Sequence, residues 1–325
     1  MPAIVLAAAL VAPASGPALT GTPGGASVPD TRVLVVSIDG LNPAALRELG
    51  ANGTPNFHRL MSEGAFTLNA RTQVESTLTL PNHTSMVTGR RIDRKHAGHG
   101  VTWNTDLKGR TVQKAAGHAV GSVFSWLHKA GMNVALFAAK AKFSLFDRSW
   151  PSINRVTIKE GKDTALVNAV RADLVDRDRE FTLLHLGDPD KTGHARGFMS
   201  PAYLDAVRRT DSRIGTILET IDAHEELDDL IVVLTADHGG RGAGHSDRTR
   251  LVNYRVPVLV WGAGVVHDNL YDLSPAYQDP GKTRVGFKGR QPIRNGDVAN
   301  LAAYLLGVGP VPDSRWNFDQ DLRVN

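Results

Sequence analysis

Three carboxylates stand at the ends of apolar runs in this chain: Asp39 in VLVVSIDG, Asp190 in LLHLGDPDKTGH and Asp237 in IVVLTADHGG. Imidazoles follow two of them, with His194 four residues after Asp190, His238 next to Asp237, and His245 a few residues further on. Carboxylate oxygens and imidazole nitrogens brought to one place are the donor set of a transition-metal site, zinc first among them. Cysteine is absent, so thiolate nucleophiles, disulfides and sulfur-held metals are excluded.

A hydroxyl is available in the run STLTLPNHTSMVTG. Thr79 lies just before Pro81, at the entrance of a short helix whose free N–H groups and dipole favour an anion. A hydroxyl bound to metal there can lose its proton and attack phosphorus. Taken alone, Thr79 reads more readily as a helix N-cap.

The elements that must position these groups follow from periodicity. A β-branched run closed abruptly by Asp and Gly reads as a core strand of a parallel sheet, and ligands bind at the carboxyl edge of such sheets. Strands are expected over Arg32–Asp39, Ala65–Ala70, Asn133–Ala139, Phe181–Leu186, Leu230–Thr235 and Val256–Trp261. Helices are expected over Pro43–Leu49, stopped by Gly50, and over Asn56–Ser62, Pro81–Val87, Val120–Lys129, Asp163–Asp178, Pro201–His224 and Asn295–Leu306. The stretches Arg71–Leu80 and Gly264–Arg290 read as loops. The alternation predicts an α/β fold, a doubly wound and mostly parallel sheet covered by helices on both faces. Residues 29–325 are expected to form a single catalytic domain.

Four fragments in order, SIDG at Ser37–Gly40, TLPNHTSMVTG at Thr79–Gly89, DKTGH at Asp190–His194 and ADHGG at Ala236–Gly240, resemble the alkaline phosphatase superfamily. The resemblance is nearest to its nucleotide pyrophosphatase/phosphodiesterase branch and runs from Arg32 to the C-terminal helix. It implies a hydrolase of phosphodiester or pyrophosphate bonds with two zinc ions and a threonine nucleophile. Carried over by position, Asp39, Thr79, Asp237 and His238 hold one ion and Asp190, His194 and His245 the other, with a phospho-threonine formed at Thr79 and then hydrolysed. Asp188 competes with Asp190, since both follow one strand; Asp190 has the four-residue spacing to His194 that the family pattern uses. Asn104 in HGVTWN matches the branch's asparagine that donates to a phosphate oxygen, as suits a singly charged diester. Monoesterases of the superfamily place cations near the extra phosphate charge instead. Lys140 and Lys142 in AAKAKFS read as surface lysines, and either one in the pocket favours a monoesterase. Sulfate and phosphonate esters, and a zinc-binding pseudoenzyme, are the further alternatives.

The formal charge of +4 and pI near 9.4 say little about partners. The basic stretch GRRIDRKHAGH, Gly89–His99, lacks interleaved aromatics, which argues for solvated surface or a rim around an anionic substrate and against a nucleic-acid platform. A phosphoester or nucleotide-like small molecule is the expected partner, with no membrane span in the mature chain. Residues 1–28, with a short apolar run ending in Ala12-Pro13-Ala14 and no basic n-region, read as an export leader, which predicts a secreted or periplasmic protein.

Overall fold

The computed structural model describes residues 31–325 and Pro2. Apart from Pro2, the expected leader lies outside the described residues. In chain order the first half comprises β1 (Arg32–Ile38), α1 (Pro43–Gly53), α2 (Pro55–Glu63), β2 (Ala65–Arg71), α3 (Thr79–Thr88), α4 (Val112–Ala116), α5 (Val123–Lys129), β3 (Val134–Ala138), α6 (Ser144–Ser149) and β4 (Arg155–Ile158). There follow α7 (Asp163–Asp176), β5 (Phe181–Leu186), α8 (Asp188–Arg196), α9 (Pro201–Asp222), β6 (Leu230–Thr235), α10 (Leu251–Tyr254), β7 (Arg255–Gly262), β8 (Asp268–Asn269), α11 (Leu270–Leu273) and α12 (Val298–Leu305).

The strands form one sheet in the order β4-β3-β5-β1-β6-β7-β2-β8. The β4, β3, β5, β1 and β6 strands are parallel, while β7 runs antiparallel to both β6 and β2. Runs such as VLVVSI and LIVVLT are buried along almost their whole length, as strands covered on both faces must be. Helices α1, α2, α7, α8 and α9 pack together, and a second group, α3, α5 and α12, packs against the sheet at β1 and β3. This is the doubly wound, mostly parallel architecture that the alternation predicts.

The register fixes the functional edge. Ser37 of β1 lies level with His185 of β5 and Thr235 of β6, so the three central strands end together. Their next residues carry Asp39, Asp188 with Asp190, and Asp237 to the same rim. Asp39 N–H donates to Leu186 O at 2.9 Å, and Asp190 N–H to Asp39 O at 3.1 Å, which ties two of the acids by backbone.

Several boundaries differ from the sequence expectation. The helix expected to begin at Pro81 begins at Thr79. Proline fits inside a first turn because the leading N–H groups of a helix have no intrahelical acceptor. Gly50, expected to stop α1, instead marks a kink within it, at φ 59°. The short α4, α6 and β4 have no counterpart in the sequence reading.

Candidate active site

Thr79 opens α3, a helix in which every residue is buried. Leu78 caps it without a side-chain hydrogen bond, so Thr79 is the first helical residue and not the N-cap. Its carbonyl accepts from His83 Nδ1 at 2.8 Å, one turn on. His83 Nε2 lies 2.7 Å from Ser37 Oγ on β1, and His83 Nδ1 lies 3.6 Å from Asp237 Oδ2. Burial lowers the His83 pKa well below its usual value, leaving a neutral ring that pins α3 to the rim.

Asp190 and His194 belong to α8, a helix that the sequence expectation did not include. The four-residue spacing places them on one helix face, with His194 Nε2 3.3 Å from Asp190 Oδ1. His245 Nε2 stands 3.1 Å from His194 Nε2 and 3.6 Å from Asp190 Oδ1. The other ring nitrogen of His245, Nδ1, donates to Thr77 O at 2.8 Å. Burial and the neighbouring His238 push His245 down to about 3, so Nε2 carries a free lone pair. Asp188 is engaged elsewhere, by Arg209 at 3.0 Å and Arg213 at 2.9 Å.

His238 shows the same polarity. Its Nδ1 donates to Gly239 O at 2.8 Å, and its Nε2 faces Asp39 Oδ1 at 3.3 Å, Asp237 Oδ2 at 3.3 Å and Asp190 Oδ1 at 3.7 Å. Burial works against charge on His238, yet Asp237 and Asp39 raise it to about 9. A cation of some kind is wanted at Nε2. Burial, with Asp39 beside it, pushes Asp237 up to about 7.

The donor set fits metal. Asp39 Oδ1, Asp190 Oδ1, Asp237 Oδ2 and His238 Nε2 are all sealed from solvent and have no hydrogen-bond partner. Buried polar atoms seldom go unpaired, and these converge. Two groups have donor atoms within 4.8 Å of one another: Asp190, His194 and His245, and Asp39, Asp190 and His238. Asp190 belongs to both, whereas the expected division gave it to one ion alone. Asp237 lies outside both groups, with Oδ1 taken by the N–H groups of Gly40 at 3.1 Å and His238 at 2.9 Å.

Both lysines expected at the surface reach the site. Lys140 Nζ bridges Asp39 Oδ2 at 2.5 Å and Asp190 Oδ2 at 2.6 Å. Lys142 Nζ donates to Asn104 Oδ1 at 3.1 Å, which also accepts Leu80 N–H at 2.9 Å. The amide oxygen of Asn104 is thus fully used at the entrance of α3. Its NH2 group makes no hydrogen bond among the described residues, so it is the end free to donate.

His185, His83 and Phe198 are site residues the sequence reading missed. His185 takes Ala139 N–H on Nδ1 at 3.2 Å and donates from Nε2 to Asp39 Oδ2 at 3.0 Å. A histidine inside the apolar strand LLHL was the available signal, since a buried imidazole needs partners on both nitrogens. Phe198 meets His194, His238 and His245 edge-on, at 5.4, 6.5 and 5.7 Å between ring centres, and floors the cluster. A Cβ on Gly193 would come within 2.6 Å of the Phe198 ring, so only glycine lets α8 pass so near.

The model of the family described as type I phosphodiesterase / nucleotide pyrophosphatase matches residues 33–254. The chain is 28% identical over 261 residues to ectonucleotide pyrophosphatase/phosphodiesterase family member 7 of Homo sapiens, covering 73% of this chain and 54% of that protein. It therefore spans about half the length of that relative. Among solved structures, murine ectonucleotide pyrophosphatase/phosphodiesterase 5, an inactive variant in complex with AMP, superposes with a TM-score of 0.66 at 14% identity, covering 90% of this chain and 99% of that one. A protein in the alkaline phosphatase superfamily from Vibrio parahaemolyticus gives a TM-score of 0.57 at 15% identity, over 86% of this chain and 66% of that one.

Proposed function

The chain belongs to the type I phosphodiesterase / nucleotide pyrophosphatase family, and from that premise we propose that it is a metal-dependent hydrolase of phosphodiester or pyrophosphate bonds with Thr79 as nucleophile. The observation that carries the reading is the convergence of four sealed, unpartnered donor atoms on Asp39, Asp190, Asp237 and His238, on the sheet edge that α3 closes. Asp190, His194 and His245 would hold one zinc ion, and Asp39, Asp237 and His238, with Thr79, the other. Bound there, zinc supplies Lewis acidity that lowers the pKa of a hydroxyl or water and screens charge on the phosphoryl oxygens.

The remaining steps belong to the chain. Thr79 attacks phosphorus in line, the alcohol or phosphate opposite it departs, and water then cleaves the phospho-threonine to restore the hydroxyl. Asn104 donates its free NH2 to a non-bridging oxygen, and the first N–H groups of α3 face the same charge. His185 holds Asp39, and His83 holds the first turn of α3. For the purified enzyme charged with zinc, a bis-aryl phosphate is expected to be turned over faster than the matching mono-aryl phosphate; the reverse preference sinks the diesterase assignment. Thr79→Ala is expected to lose about a thousandfold or more in kcat while keeping its zinc-dependent Tm. Unchanged turnover in that variant removes the nucleophile.

A specific observation favours a second reading, a phosphomonoesterase on the same site. Lys142 sits on the amide of Asn104, where it can meet the second charge of a monoester. Lys140 carries less weight, because Asp39 and Asp190 already absorb its charge. The family match keeps the diester first. Two equivalents of bound metal with no hydrolysis of any ester would instead mark a pseudoenzyme. Export is part of the same proposal; no described helix is long and apolar enough to cross a membrane.

A further inference from the structure

The basic stretch that the catalytic reading leaves unused divides in two. Arg90 and Arg91 are buried and spent: Arg90 on Asp313 at 3.2 Å, Arg91 on Glu75 at 2.9 Å. Arg94 and Lys95 are exposed, and no carboxylate among the described residues lies within salt-bridge reach of either. They line a cavity of about 730 Å³ together with Arg248, which has no acidic partner among the described residues and donates to Glu75 O at 2.8 Å. Two acids share the lining: Glu75 is paired with Arg91 at 2.9 Å, and the only side-chain partner of Asp93 among the described residues is the imidazole of His96, at 2.8 Å. Leu78, Ile92 and Ala115 make the lining partly apolar.

None of the catalytic groups lines this cavity, but two of its residues are chain neighbours of theirs. Leu78 immediately precedes Thr79, and the cavity residue Ser246 immediately follows His245. Thr77 and His245 tie these two segments together, Thr77 Oγ1 donating to His245 O at 2.5 Å and His245 Nδ1 to Thr77 O at 2.8 Å. The volume falls in the range of small-molecule sites. Three cations against one acid without a cationic partner leave the lining with a positive surplus, and two of the three are guanidinium forks, which match the doubly charged oxygen face of a phosphate monoester.

We propose that this cavity is a second anion subsite, receiving an arm of the substrate that carries a phosphate group distal to the bond being cut. The inference rests on the diesterase reading and narrows it to diesters bearing a further phosphate on a small carbon skeleton.

The test uses the zinc-loaded full chain and two diesters that release the same nitrophenol, one with a plain phenyl arm and one with a phosphate monoester on that ring. The phosphate-bearing diester is expected to show about a tenfold higher kcat/KM, expressed in KM and lost as salt is raised. Arg94→Gln/Arg248→Gln is expected to bring the ratio of the two substrates to within about twofold. A wild-type ratio near one, or a ratio unchanged in the double variant, overturns the subsite and leaves the diesterase standing. If neither diester turns over, the diesterase reading fails, and calorimetric titration of metal-stripped protein with phenyl phosphate decides the subsite alone. Binding weakened about tenfold in the double variant supports it; equal binding overturns it. The unchanged Tm expected for two exposed substitutions confirms that the variant is folded.

Discussion

Lys140 bridges Asp39 and Asp190, two acids that the proposed zinc ions also need, so the lysine and the metal neutralise the same charge. Removing a partner from a buried ion pair costs about 3 kcal/mol, because the remaining charge stays uncompensated. Lys140→Met is therefore expected to lose about that much stability when metal has been stripped and clearly less when zinc is bound, read as paired denaturant curves. Equal losses in the two states would mean that Lys140 and metal act independently. His99 makes a pH-dependent case away from the metal donors. Val101 N–H donates to its Nδ1 at 3.1 Å and its Nε2 lies 3.0 Å from Ser85 Oγ on α3, and burial lowers it to about 3. Below the unfolded pKa of 6.5 the unfolded chain takes up a proton that the folded chain refuses. Stability from this residue is thus complete above pH 6.5 and declines as pH falls toward 3. At pH 5 the loss is about 2 kcal/mol, and His99→Gln is expected to flatten that part of the stability–pH curve. The convergence of Asp39, Asp190 and Asp237 on one rim was legible in the sequence because an acid ending an apolar run is a strong positional signal. Lys140 was not, since a lysine after a strand looks like surface until the fold sets two carboxylates against it.

Two connections between strands and helices do most of the positioning. After β1 the chain turns at Gly40, φ 71°, and a Cβ there would lie 3.1 Å from Asp190 Cα and 3.0 Å from the Phe198 ring. An L side chain in that left-handed region costs about 1–2 kcal/mol, and the close approach adds pressure on Asp190. Gly40→Ala is expected to weaken zinc affinity about tenfold, roughly 1.4 kcal/mol, measured by competition with a chromophoric chelator; unaltered affinity would show that β1 and α8 can part without disturbing the donors. After β5 the chain enters α8 almost at once, with Pro189 in the first turn beside Asp188 and Asp190, acids that suit a helix N-terminus. The segment DPDKTGH offers no apolar stripe from which a helix could be expected, yet the Asp190–His194 spacing is itself a helical one. The long strands were readable from burial on both faces. The short α4, α6 and β4 were not, as four to six residues carry too little periodicity to register.

At the scale of the whole molecule, the sheet gathers candidate donors that are far apart in sequence, and the proposed sites join four separate segments at one rim. A second brace stands away from it. Arg71 and Arg294, both 2% exposed, hold the 264–290 excursion through its backbone, Arg71 donating to Gly281 O at 2.9 Å and Arg294 to Val285 O at 3.0 Å and Gly286 O at 3.3 Å. The two braces should respond differently to chelation. Ions that bind only the folded chain stabilise it by about 4 kcal/mol when free metal exceeds Kd a thousandfold, so removing them is expected to lower Tm by several degrees. Amide exchange should rise at 39–42, 188–196 and 237–246, where the acids lose the charge that draws them together, and stay unchanged at 281–286, where arginines and carbonyls need no ion. A uniform rise would indicate that metal supports the fold at large. No rise at all, with an unmoved Tm, would remove the two-ion centre while leaving the sheet that was expected to carry it.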